Sequence, residues 1–200
     1  QEVTDLPLAI DSPDPAVIEA VLPLAKRTPL INSLTLEPAR LEGILPLALS
    51  YRAKVIALCQ SVEGTAETAA DKAALAARLV ERLTAAGIAR DDIYIDPLVF
   101  PLSTNPLSAV ATLEAVGEIS ARFPGVHTIC GLTNVSFGLP ARKLINRAFL
   151  AAAVSRGLDA AIIDPTDKQL YGMLKAATLI AGKDEYCRGY IEAFRKGRLE

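Results

Sequence analysis

The chain has no tryptophan, one methionine, one histidine, and only five tyrosines and five phenylalanines in 200 residues. So few aromatics leave no stacking platform for nucleic-acid bases. Charge of one sign is also missing. Twenty-one Lys and Arg stand against 23 Asp and Glu, a net charge of −2, which gives no electrostatic footprint for a phosphate backbone or an anionic membrane. Cys59, Cys130 and Cys187 form no CxxC pair, and His127 is the only histidine. A zinc site needs roughly three or four Cys, His or carboxylate ligands, so no metal centre is expected. The lone histidine also leaves no Ser/His/Asp or Cys/His catalytic set. No GxGxxG or GxxxxGK[ST] loop cradles a phosphate. The apolar runs are far too short to span a bilayer, and Gln1-Glu2-Val3-Thr4-Asp5 lacks the basic and apolar regions of a signal peptide. The widely spaced, odd-numbered thiols fit a reducing cytoplasm, with Cys59 and Cys130 read as buried core thiols. Gln1 in place of an initiator Met points to a processed or truncated piece.

What is present is a repeat of short apolar runs and helical stretches. Strands are predicted at about 6–11, 29–33, 54–59, 93–98, 127–134 and 159–164. They are continuous rather than alternating, as in Lys54-Val55-Ile56-Ala57-Leu58-Cys59, which suits parallel strands covered on both faces. Between them lie helices with ordinary punctuation. Asp14-Pro15 sets a cap before a Pro at the first helical position, and Glu37-Pro38 starts another. Residues 67–86 carry Leu75, Leu79 and Leu83 on one face and stop at Gly87. Residues 107–122, 141–156, 167–182 and 184–196 complete the helices. About six β/α units are visible in a single domain over 1–200. A (β/α)8 barrel typically needs about 250 residues, and the alternative is an open sheet of six parallel strands.

Five of the runs end on an acid or an amide: Asp11, Asn32, Asp96, Asn134 and Asp164. In parallel α/β folds the strands deliver their last residues to one face, where ligands bind. Asp96, in Tyr94-Ile95-Asp96-Pro97-Leu98, is partly desolvated and is followed by a proline without an N–H, so it needs a donor from elsewhere in the protein or from a ligand. A flat heterocycle with adjacent N–H and NH2 groups would pair with it through two hydrogen bonds. A helix cap or loop ion pair is the other reading. Asp11-Ser12-Pro13 is either a polar pocket residue or an ordinary turn. Asn32-Ser33 offers an amide that both donates and accepts, or a turn. Gly131-Leu132-Thr133-Asn134-Val135-Ser136-Phe137-Gly138 either brings backbone close to a ligand or is a loop before the next helix. His127 and Asp164-Pro165 are read as structural, and Arg142, Lys143 and Arg147 as a solvated helix face.

Six segments in order resemble a known family: Leu8-Ala9-Ile10-Asp11-Ser12, Leu30-Ile31-Asn32-Ser33, Tyr94-Ile95-Asp96-Pro97-Leu98, Gly131-Leu132-Thr133-Asn134-Val135-Ser136, Leu144-Ile145-Asn146-Arg147 and Gly157-Leu158-Asp159-Ala160-Ala161-Ile162. They are similar to the methyltetrahydrofolate:corrinoid methyltransferases, whose barrel is of the dihydropteroate-synthase type. The resemblance implies a (β/α)8 TIM barrel with a pterin pocket at the strand C-termini. Asp96 then holds the pyrimidine edge, Asp11 and Asn32 are polar partners on the ring, and Gly131 and Thr133 lie in the loop beside it. Asn134 is the pterin-binding and catalytic residue near N5. It further implies methyltetrahydrofolate as substrate, a corrinoid (cobalamin) carried by a partner protein as acceptor, a homodimer and a cytoplasmic setting. The family's first two strands would lie upstream of Gln1. Phe137 stands where the family often has Gln. Two alternatives remain: a dihydropteroate-synthase-like enzyme, whose Lys and Ser-x-Arg signatures are not found, and a non-catalytic pterin-binding subunit.

Overall fold

The computed structural model describes residues 4–199, so Gln1-Glu2-Val3 of the segment read as no signal peptide lies outside the described residues. The chain runs β1 (Ala9–Asp11), α1 (Pro15–Val21), β2 (Leu30–Leu34), α2 (Pro38–Tyr51) and β3 (Lys54–Leu58). A small hairpin of β4 (Gln60–Ser61) and β5 (Gly64–Thr65) follows, then α3 (Ala69–Ala85), β6 (Ile93–Asp96), α4 (Ser108–Arg122) and β7 (His127–Thr128). The closing helices are α5 (Arg142–Ser155), α6 (Lys168–Ile180) and α7 (Arg188–Arg195). Caps form where a side chain can reach an orphan amide, at the predicted Asp14 and also at Thr68. Asp14 accepts from the Ala16 N–H at 2.9 Å, and Thr68 accepts from the Asp71 N–H at 3.1 Å. Glu37 does not cap α2. Its carboxylate is taken by the Thr35 hydroxyl and the Gln60 amide, each at 3.2 Å.

The main sheet is entirely parallel, in the order β1-β2-β3-β6-β7. A sixth segment joins its far side: the Ala160 N–H donates to the Thr128 carbonyl at 3.0 Å, the Ile162 N–H to the Cys130 carbonyl at 2.9 Å, and Gly131 bridges Ile162. The order never reverses. Parallel crossovers are right-handed, so a sheet that always advances in one direction places every crossover helix on the same face. The core obeys this rule. Ile10, Ile31, Val55, Ala57, Ile93 and Ile95 form one buried cluster with Ile18 of α1, Ile44 of α2, Leu79 and Leu83 of α3 and Ile119 of α4. A doubly wound sheet would reverse and carry helices on both faces. The winding is that of a (β/α)8 barrel, present as an arc of five paired strands and a bridged sixth.

Strand residues alternate between faces. Asp11, Asn32, Ile56, Tyr94 and Asp96 alternate with the helix-facing set and so share the opposite, inner face. The continuous apolar runs predict full cover on both faces. Among the described residues the helix side is covered, whereas Leu30, Lys54, Leu58 and Tyr94 on the inner side are half-buried.

β1 covers only Ala9–Asp11 of the predicted 6–11 and β6 only Ile93–Asp96 of 93–98, and two further strands fall shorter still of their apolar runs. The predicted strand 127–134 pairs regularly only over His127–Thr128, and Leu132–Ser136 winds into a 3-10 turn. The small and polar residues there hold no ladder. The predicted strand 159–164 reduces to its bridge, because the Asp159 carboxylate turns back onto the Thr128 N–H (2.8 Å) and His127 Nδ1 (2.7 Å). His127 also lies 3.3 Å from Asp91 and stacks on Tyr94 at 4.6 Å. This lattice joins three neighbouring segments at the N-terminal end of the sheet, far from the strand ends where ligands bind, in keeping with the structural role read for His127.

Leu79 is fully buried between α3 and the sheet. Leu79→Ala is expected to cost about 2–5 kcal/mol, read as a lower urea midpoint with an unchanged slope.

Candidate functional site

The strand ends bring the sequence-selected residues to one edge in two groups. Asp11 and Asn32 are direct register partners on β1 and β2. Asp11 is exposed and Asn32 half-buried, and neither side chain hydrogen-bonds within the described residues. Asp96, Gly131, Thr133 and Asn134 form the second group on β6 and the turn after β7. The end of β3 lies between the groups, two strand spacings, or roughly 10 Å, across. That span suits the two ends of a fused two-ring heterocycle.

Asp96 is the centre of the second group. It is 5% exposed, and its donors are backbone amides. The Leu98 N–H donates to Oδ1 at 2.8 Å, and the Gly131 N–H donates to the same carboxylate. The proline that follows Asp96 is thus skipped, and the next amide turns back. This requires Leu98 to sit at φ 57, a left-handed conformation costing a side-chain-bearing residue about 1–2 kcal/mol. The loop is held there from outside. Lys72 of α3 donates to the carbonyls of Pro97 (2.7 Å) and Leu98 (2.6 Å), and the Thr112 hydroxyl of α4 donates to the Leu98 carbonyl at 3.1 Å.

Burial pushes the Asp96 carboxyl up from its ordinary 3.8 to about 6, against the opposing pull of the Leu98 and Gly131 amides and of Lys72. Burial likewise pushes the Cys59 thiol up to about 12 and the Cys130 thiol well above its usual range. Both are buried, as expected, and are poor nucleophiles in that state. Cys187 is exposed.

Gly131 does double duty. Its amide holds Asp96, and a Cβ placed on it would lie 3.3 Å from the Asn134 amide nitrogen. A side chain here would make that amide give way by a few tenths of an ångström. Asn134 itself is exposed, and its side chain has no hydrogen-bond partner within the described residues. Its backbone closes the turn, donating to Gly131 O at 3.3 Å and accepting from Phe137 N at 3.1 Å. The Thr133 carbonyl is occupied by Arg142 (2.9 Å) and the Ser136 hydroxyl (3.3 Å). Arg142 stacks over Phe137, which is 64% exposed.

Some expectations change. Arg142 and Lys143 are exposed as read, but Arg147 is half-buried and paired with Asp167 at 3.4 Å. That set is not one solvated face. Asp164 is a turn: its Oδ1 accepts from the Thr166 N–H (2.8 Å) and hydroxyl (2.7 Å), which lower its pKa. Among the described residues no cluster of three or more His, Cys, Asp or Glu could hold a metal, and no helix is long and apolar enough to cross a membrane.

Lys72 escapes sequence reading. Its signal is positional: it occupies the same stripe as Leu75, Ala76, Leu79 and Leu83, so a cation stands on an apolar face.

A buried carboxylate and open amide side chains thus share the C-terminal edge of the barrel arc, where parallel α/β folds bind their ligands. The model of the pterin binding enzymes matches residues 1–164. The methylcorrinoid:tetrahydrofolate methyltransferase of Eubacterium limosum is 37% identical over 204 residues, covering all of this chain and 74% of that protein. Methionine synthase of Mycobacterium tuberculosis is 35% identical over 170 residues, covering 79% of this chain and 14% of that protein. A dihydropteroate synthase of Coxiella burnetii, solved with pteroic acid, superposes with a TM-score of 0.68 at 18% identity, covering 88% of this chain and 67% of that one. The chain belongs to the pterin binding enzyme family. Its resemblance to the methyltetrahydrofolate:corrinoid methyltransferases is borne out by the first of these relatives.

The raised carboxyl has a thermodynamic sign. The folded state binds the Asp96 proton more tightly than the unfolded chain, so this group's contribution is complete below about pH 4. It is lost as pH rises through about 6. Above that, the ionised buried carboxylate costs up to about 3 kcal/mol. Asp96→Asn is therefore expected to be more stable than wild type at pH 8, with the difference vanishing toward pH 4. Urea unfolding of both proteins across that range measures it.

Proposed function

We propose that this chain is the folate-binding domain of a methyltransferase that moves a methyl group from N5 of methyltetrahydrofolate to the cobalt of a corrinoid held on a partner protein. The observation that carries the reading is Asp96: a buried carboxylate with the Leu98 and Gly131 amides behind it, at the inner face of the strand ends. Such a group is costly to keep without a ligand that uses it. The pyrimidine edge of a pterin presents adjacent N–H and NH2 donors that match it. Asp11 and Asn32 meet the far side of the ring, and Gly131, Thr133 and Asn134 frame the N5 side.

In the transfer, the N5–methyl bond breaks with its electron pair staying on N5, and the methyl group passes to reduced cobalt. A tertiary amine leaves poorly, so positive charge must build at N5 before the bond breaks. The Asn134 carbonyl oxygen, unclaimed within the described residues, is suited to stabilise that charge. An amide has no proton to give at neutral pH, so the proton arrives through water. The rest of the catalysis is alignment of the methyl carbon with the cobalt. The name of the Eubacterium limosum relative reads in the other sense, with the methylated corrinoid as donor. By microscopic reversibility one pocket serves both directions.

Two variants separate binding from chemistry. Asp96→Asn should weaken methyltetrahydrofolate roughly 10- to 100-fold, the loss of a charge-assisted hydrogen-bond pair, as measured by calorimetry. Asn134→Ala should leave the Kd within a few-fold and cut single-turnover methyl transfer to a reduced corrinoid protein about 100-fold. Binding without transfer in the wild type would favour a non-catalytic subunit. No binding of methyltetrahydrofolate would sink the pterin reading altogether.

A further inference from the structure

Lys72 is the largest fully buried side chain among the described residues, with none of its surface exposed. A lysine on the apolar stripe of a core helix is expensive and is unexplained by packing alone. Its ammonium has three protein groups around it: the Pro97 carbonyl at 2.7 Å, the Leu98 carbonyl at 2.6 Å and the Phe100 ring at 5.2 Å. The first of these contacts is the informative one. The Pro97 carbonyl and the Leu98 N–H are the two ends of a single peptide group. Lys72 grips one end, and Asp96 accepts a hydrogen bond from the other. Charge, peptide dipole and carboxylate therefore stand in series, an arrangement in which each hydrogen bond strengthens the next.

We propose that Lys72 is a positioning residue for the proposed pterin site: acting through the Pro97–Leu98 peptide, it strengthens the amide that holds Asp96 and keeps that carboxylate ionised and fixed to receive the ligand. The role in ligand binding rests on the pterin reading given above; the relay from Lys72 to Asp96 does not. Two facts distinguish it from a simple tether. Thr112 already ties the Leu98 carbonyl with a neutral hydroxyl, so the loop has an uncharged anchor of its own. The attraction is also mutual: Lys72 lowers the Asp96 carboxyl, and Asp96 raises the Lys72 ammonium against a burial that lowers it. The titratable groups facing the pair are Cys59 at the end of β3, Cys130 after β7 and Glu67 before α3. Burial raises both thiols, which favours their neutral form, and among the described residues Lys72 is the cation that acts on Asp96.

The experiment reads the two charges directly by NMR in the ligand-free protein. In Lys72→Met the Asp96 carboxyl carbon should titrate about one unit or more above wild type. In Thr112→Val, which removes the neutral anchor alone, it should titrate as in wild type. In Asp96→Asn the Lys72 ammonium should lose its proton at lower pH than in wild type, a reciprocal readout that holds even where Lys72→Met does not fold. The acid limb of methyltetrahydrofolate binding should move up with the carboxyl in Lys72→Met. An unmoved Asp96 titration in folded Lys72→Met, an unmoved Lys72 titration in Asp96→Asn, or an equal shift in Thr112→Val would overturn the relay. Absence of methyltetrahydrofolate binding in the wild type would remove the pterin reading instead, and the two titrations would still decide the role of Lys72.

Discussion

The constraint on which this structure depends is the handedness of its crossovers. Because the parallel strands advance in one order from β1 to β7 and crossovers between parallel strands are right-handed, the crossover helices α1 to α4 pack on one side of the sheet. Each strand then has a helix side and an inner side. Its carboxyl end, at the edge, is left for chemistry. Ile10, Ile31, Val55 and Ile95 supply cohesion on one face, while their immediate neighbours Asp11, Asn32 and Asp96 carry polarity on the other. A one-residue slip of any strand would exchange the two sets and destroy core and site together.

Within that frame the candidate site balances an uncomfortable charge. Asp96 is buried enough that its carboxyl is raised to about 6, and Lys72 is buried entirely. A buried pair contributes little net stability, since desolvation opposes attraction. What it contributes is geometry: a left-handed Leu98 is held against its own preference by donors from α3 and α4. The helices pack the barrel wall and also fix the loop that carries the carboxylate. Asn134, in contrast, stands at the surface with an unengaged amide, available to a bound molecule.

Much of this was legible in the sequence. Apolar runs punctuated by caps, with helical stretches between, announced parallel β/α units. The acid or amide at each run's end pointed to one common edge, where the structure gathers Asp11, Asn32, Asp96 and Asn134, whereas Asp164 closes a turn on Thr166. The pattern could not distinguish a barrel from an open sheet, since both read alike locally and differ only in strand order. It also overextended 127–134 and 159–164, because side-chain hydrogen bonds from Asp159 and the turn at Gly131 compete with the ladder. Arg147 looked solvated because its partner Asp167 lies 20 residues away. Lys72 was hidden in an Ala-rich helix, where periodicity rewards apolar residues and passes over the one charged member of the stripe.

The amides that hold Asp96 belong to the main chain, at Leu98 and Gly131. Most substitutions change a side chain and leave the peptide N–H where it was; only proline deletes it. The donor half of this site is therefore written in the path of the backbone rather than in the identity of any residue. Sequence drift at those positions would alter the shape and polarity of the pocket walls while the carboxylate kept its supports. Such a site can change what it accepts without rebuilding what anchors it.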